Sequence, residues 1–81
     1  MVITPYIREI DLSEVLKING TECHFPGEFP GTLAELLDHM KINRATVVAE
    51  IDGAVVSRES FSETEIHPGQ SIELVRFVGG G

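Results

Sequence analysis

Cysteine occurs once in these 81 residues, tryptophan not at all, and six basic side chains stand against thirteen acidic ones. Each shortage excludes something. A lone Cys23 closes no internal disulfide and by itself holds no iron–sulfur cluster. A net charge of −7 repels phosphate backbones and anionic lipid, which argues against nucleic acid and membrane surfaces and suits a basic-faced protein partner. No apolar run approaches the length of a membrane span. No positively charged start leads into an apolar stretch, so the sequence predicts a cytoplasmic protein. His24, His39 and His67 have no ligand-like spacing with Cys23 or with one another, and no serine, histidine and acid arrangement is evident. The expectation is a protein with no catalytic residue, no metal site and no bound cofactor. A chain of this size forms one small domain and buries only a modest fraction of its surface, too little to enclose an elaborate active site.

What the sequence does have is glycine at its end. Phe77 and Val78 are followed by Gly79, Gly80 and Gly81. Glycine is the costliest residue to order, so the fold gains nothing from three of them. A tail without side chains lets the α-carboxylate enter a channel that only bare backbone fits, which makes the terminus itself a candidate reactive group. A frayed end or a cloning remnant fits the same composition, and from the tail alone these alternatives stay open.

The rest of the chain is punctuated clearly from Val15 onward. Val15 to Ile18 and Thr21 to Phe25 alternate around Asn19-Gly20, the pair a tight hairpin turn requires. That register sets Leu16 opposite Cys23 on the inner side and Lys17 opposite Glu22 on the outer side, making Cys23 core filler. Pro26-Gly27 and Pro30-Gly31 bracket a connector. Thr32-Leu33-Ala34-Glu35 matches a capping box, and Leu33, Leu36, Leu37 and Met40 fall on one stripe of a helix of about two and a half turns, with Asn43 as its terminator. Thr46 to Ile51 alternates, Asp52-Gly53 turns the chain into Ala54, Val55 and Val56, and a polar crossing loop follows in which Phe61 and Ile66 plug the core. Ser71 to Val78 is the last strand, with Ile72 and Leu74 inward and Val75 and Phe77 on the opposite side. Residues 1–14 keep no single period: a short helix begun by Thr4-Pro5 and an extended arm along a sheet edge both fit.

This order predicts an α+β fold, the β-grasp or ubiquitin-like roll: a mixed sheet of four to five strands with one main helix across one face. The expected organisation is an N-terminal extension at 1–14, the β-grasp domain at 15–78 and a flexible glycine tail at 79–81.

Lys17-Ile18-Asn19-Gly20, Thr32-Leu33-Ala34-Glu35-Leu36-Leu37, the stretch from Ile51 to Arg58, and the ending from Gly69 to Gly81 together resemble the ThiS family of sulfur carriers in thiamine biosynthesis. The resemblance covers roughly residues 15–81. Ser57 stands where many relatives have proline, and Phe61 where they often have tryptophan. The resemblance implies a co-substrate rather than an enzyme. A ThiF-like adenylyltransferase, consuming ATP, would convert the Gly81 carboxylate to an acyl-adenylate. Sulfur from a cysteine-derived persulfide donor would then displace AMP, and the resulting thiocarboxylate would give its sulfur to the thiazole precursor on a ThiG-like synthase. Gly80 and Gly81 would lie extended in each partner's tunnel, with Gly79 as the hinge. Val75 and Phe77 would form the apolar centre of a docking patch, with Arg76 and Arg58 pairing to acidic groups on the partner; a Phe77 that merely caps the core fits equally. Other readings of the same tail are a carrier for molybdopterin or another sulfur pathway, a ubiquitin-like protein modifier, and a non-covalent interaction domain.

Overall fold

The computed structural model describes residues 14–77. The expectations for the N-terminal extension before Glu14 and for Gly79, Gly80 and Gly81 lie outside the described residues.

Alternating apolar and polar residues make β1 (Val15–Ile18) and β2 (Thr21–His24) an antiparallel hairpin, with Leu16 opposite Cys23 and Lys17 opposite Glu22 as the pattern requires. Asn19 and Gly20 both take left-handed backbone angles, φ 49° and 82°, which match the right-handed twist of the flanking strands. Asp52 and Gly53 do the same, at 49° and 87°, between β3 (Val47–Ile51) and β4 (Ala54–Val56). The last strand, β5 (Ser71–Arg76), runs parallel to β1 and antiparallel to β3, so the sheet order is β2-β1-β5-β3-β4. This is the β-grasp layout, with β5 at the centre.

The helix α1 (Leu33–His39) begins as the capping residues predict, the Thr32 hydroxyl accepting from the Glu35 amide at 3.2 Å. The returning bond differs. The Glu35 carboxylate accepts from the amide of Gly31 at 2.7 Å, one residue before the capping amide. Thr32 is held in an isolated bridge to Glu65, flanked by Leu33 donating to Thr64 O and Ile66 donating to Gly31 O, and this fixes which amide the carboxylate meets.

The helix is also shorter than its apolar stripe. Lys41 adopts φ 58°, and the amides of Lys41 and Ile42 donate to the carbonyls of Asp38 and Leu37, a Schellman closure. Met40 is therefore a capping residue, 36% exposed, and not part of the buried stripe. Ala34 and Ile42 supply the contacts it does not. Asn43 does not end the helix either: its side-chain oxygen accepts from the Ala45 amide at 2.9 Å and starts a 3₁₀ turn, Arg44–Thr46.

One face of the sheet contributes Leu16, Ile18, Val47, Ala49, Ile51 and Ile72 to the core, and α1 covers them with Leu33, Leu36 and Leu37. Phe61 and Ile66 seal the core from the crossing loop, as expected of them, and Phe25 closes it beside β2. Cys23 is half-buried against this core, a packing role.

Candidate functional site

The sheet is arranged around the exit of its last strand. Ladder pairing between β1 and β5 ends at Ile18 opposite Ile72, yet β5 continues. Asn19 extends the support by one residue: its amide donates to Ile72 O at 2.8 Å, its Oδ1 accepts from Leu74 N at 2.7 Å and its Nδ2 donates to Leu74 O at 3.2 Å. The side-chain amide thus makes both bonds that a further strand residue would make. On the other flank β3 stays paired to the end of β5, Val47 opposite Arg76, and Phe77 N donates to Thr46 O at 2.7 Å.

Asn19 therefore has two separable functions, holding a left-handed turn and bracing Leu74. Asn19→Gly keeps the turn and loses two hydrogen bonds, an expected cost of about 1–2 kcal/mol. Asn19→Ala loses the bonds and also forces a Cβ-bearing residue without a local hydrogen bond into the left-handed region, adding about 1 kcal/mol. Urea unfolding of both variants checks the order, wild type above glycine above alanine.

Of the sequence-predicted docking residues, Val75 and Phe77 lie on the face turned away from α1 and are 57% and 56% exposed. Phe77 does not cap the core. Val48, directly opposite Val75, and Val55, opposite Glu50 and 69% exposed, extend the same apolar area. Arg76 stands across from Val47, which puts it on the opposite face, also exposed. Arg58 opens the 3₁₀ turn Arg58–Ser60 just after β4, at the same end of the sheet as Arg76 but two strands across. No hydrogen bond or ion pair among the described residues joins Arg58 to Val75, Arg76 or Phe77. Val48, Val55, Glu50 and Glu73 share this face with Val75 and Phe77, a grouping the sequence pattern alone does not show. Their common face depends on which strands become neighbours.

Among the described residues no three His, Cys, Asp or Glu side chains gather as metal ligands, and no helix is long and apolar enough to cross a membrane. The surface of the described residues holds no pocket. Its candidate site is an exposed sheet face beside a strand end.

Comparison with known proteins places this geometry. The model of the ThiS family matches residues 16–81. A sulfur carrier protein ThiS from Bacillus subtilis (strain 168) is 30% identical over 67 residues, covering 83% of this chain and 100% of that protein. A thiazole synthase from Paramagnetospirillum magneticum (strain ATCC 700264 / AMB-1) is 30% identical over 66 residues, which are 82% of this chain and 20% of that protein. The crystal structure of a thiamine biosynthesis protein (ThiS) from Geobacter metallireducens superimposes with a TM-score of 0.71 at 34% identity, covering 83% of this chain and 99% of that one. A solution structure of a thiamine biosynthesis protein from the same organism gives 0.70 at 34% identity, over 83% and 87% of the two chains.

Proposed function

The chain belongs to the ThiS family, and from that premise we propose how it performs the role of sulfur carrier in thiamine biosynthesis: the sulfur travels as a thiocarboxylate on Gly81. A carboxylate is a poor electrophile, because attack on it must overcome its charge and expel oxide. Activation solves this. An adenylyltransferase lets the Gly81 carboxylate attack the α-phosphorus of ATP, releasing pyrophosphate and forming an acyl-adenylate. The terminal sulfur of a persulfide then attacks the acyl carbon and AMP leaves. Cleavage of the resulting acyl disulfide by a second thiol frees the thiocarboxylate, and a thiazole synthase consumes its sulfur. The carrier is a co-substrate in each step, binds no cofactor of its own and acts in the cytoplasm.

The observation that supports this reading most is the position of β5. It sits in the middle of the sheet, held by β1 and Asn19 on one side and by β3 on the other, and in the sequence residues 79–81 follow it after Phe77 and Val78. A strand anchored on both flanks gives a reactive end a fixed point of departure. The match to one-fifth of a thiazole synthase supports that enzyme class as the recipient.

Co-expression with a family adenylyltransferase and a persulfide source, followed by intact-mass spectrometry, tests the proposal. The expected product has one oxygen exchanged for sulfur, and fragmentation places the exchange at Gly81. A chain that stays unmodified where the Bacillus subtilis carrier reacts, or one whose mass shows the polypeptide continuing past Gly81, overturns it.

A further inference from the structure

The chain contains two asparagines, Asn19 and Asn43, and of these only Asn19 precedes a glycine. In an unfolded chain that dipeptide is chemically labile, because glycine has no side chain to screen its amide nitrogen from the asparagine Cγ one residue back. Gly20 is exposed, has open space around its Cα, and no described residue accepts from its amide. The nucleophile is free.

The electrophile is not. Asn19 Oδ1 accepts from Leu74 N at 2.7 Å and Nδ2 donates to Leu74 O at 3.2 Å, so the side-chain amide is turned toward β5. The backbone adds a second restraint. The φ values of 49° and 82° at Asn19 and Gly20 are those of a type I′ turn, whose first central residue has a ψ of about 30°. At that ψ the Cβ of Asn19 and the nitrogen of Gly20 lie on opposite sides of the Cα–C bond, whereas closing an imide ring needs them on the same side. Cyclisation therefore requires the side chain to leave Leu74 and the peptide plane to turn over. Asp52-Gly53 repeats the arrangement, with φ 49° and 87° and Asp52 Oδ1 accepting from Ser71 N at 2.9 Å, but a carboxylate is a far poorer electrophile than an amide. Asn43 is followed by Arg44, whose side chain hinders the same attack.

We infer that Asn19 is a latent self-modification site, closed by the seating of β5 and opened when Leu74 detaches from the turn. Once it is open, hydroxide removes the Gly20 amide proton and the nitrogen attacks Asn19 Cγ. The Cγ–Nδ2 bond breaks, Nδ2 takes a proton from water and leaves as ammonia, and a cyclic imide remains. Water then adds to one imide carbonyl and breaks its C–N bond, giving aspartate, or to the other, giving isoaspartate. No oxidant or enzyme takes part. Neither product restores the brace. An aspartate still accepts from Leu74 N but has no proton for Leu74 O, so two oxygens face each other. Isoaspartate lengthens the backbone of a turn built for two residues. A reversible opening at the exit of β5 is thereby made permanent, and the chain gains one negative charge.

The test uses the full-length protein, incubated at one mildly alkaline pH either folded in buffer or unfolded in urea, with conversion at Asn19 followed by peptide mass mapping and an isoaspartate assay. Hydrogen exchange of the Leu74 amide, which donates to Asn19, reports how often the contact opens. Conversion is expected to be at least roughly tenfold slower in the folded chain, and slowed by no less than the Leu74 amide is protected. Asn43 should lag far behind Asn19 in the unfolded chain. Urea below the unfolding transition that speeds Leu74 exchange should speed Asn19 conversion in step, and the isoaspartate fraction, separated by ion exchange, should exchange Leu74 faster than the parent. Conversion in the folded protein at the unfolded rate overturns the inference. So does an Asn19 that stays protected where the Leu74 amide exchanges freely, or an isoaspartate fraction that protects Leu74 as well as the parent does.

Discussion

Deleting Gly81 should yield a protein that melts where the intact chain melts but forms thiocarboxylate at least about a hundredfold more slowly. Each residue removed from an extended chain draws the terminal carboxylate back by about 3.3–3.6 Å. The reacting oxygen must meet the α-phosphorus of ATP within a few tenths of an ångström of attack distance, and misplacement by even 1 Å costs roughly two orders of magnitude. Stability is unaffected for an equally local reason: every side chain of the buried core cluster lies between Leu16 and Ile72. Gly81→Ala separates length from width, since it keeps the carboxylate in place and adds one methyl group. Intact-mass spectrometry of the loaded carrier and thermal melts of the unloaded one are the measurements. A truncated chain that accepts sulfur as fast as the intact one would show that tail length does not position the reacting carboxylate.

The largest loss of stability is expected from Leu36→Ala. Leu36 is completely buried at the middle of α1, among the wholly buried side chains that also include Leu16, Leu33, Leu37 and Ile72. Truncation there removes transfer energy and leaves a cavity that a two-turn helix pinned at both caps cannot collapse around, a cost of about 2–5 kcal/mol. Small domains have about 5–15 kcal/mol in total, and each kcal/mol lowers the midpoint by roughly 4–8 °C at this size. The variant should therefore melt at least about 8 °C below the parent. Met40→Ala is the control, because simple helical periodicity puts Met40 on the same stripe as Leu36. Its side chain is 36% exposed beyond the helix end, so its loss should fall within about 0.5–1 kcal/mol. Equal losses at the two positions would contradict the helix boundary.

That boundary shows where local pattern stops being informative. Alternation and the Asn19-Gly20 and Asp52-Gly53 turns determine both hairpins and the pairing of Leu16 with Cys23, because all the interacting residues are close in sequence. The helix start is equally local. Its end was not legible: the left-handed closing residue is Lys41, where glycine or asparagine is the usual signal, so the period ran on to Met40 and Asn43 looked like the stop. The candidate site was legible only in part. Val75 and Phe77 follow from alternation within β5, but Glu50 meets Glu73, and Asn19 reaches Leu74, only once β5 has been inserted between β1 and β3. No short-range signal encodes a contact between residues 55 positions apart.

The central place of β5 also governs when the protein becomes usable during its synthesis. Both hairpins are complete in the nascent polypeptide before Ser71 has been added, yet they wait as separate halves with an empty slot between them. The rows Val48–Val75 and Glu50–Glu73 each draw one member from an early half and one from the final strand, so the sheet face they build is complete only once translation has passed Val75.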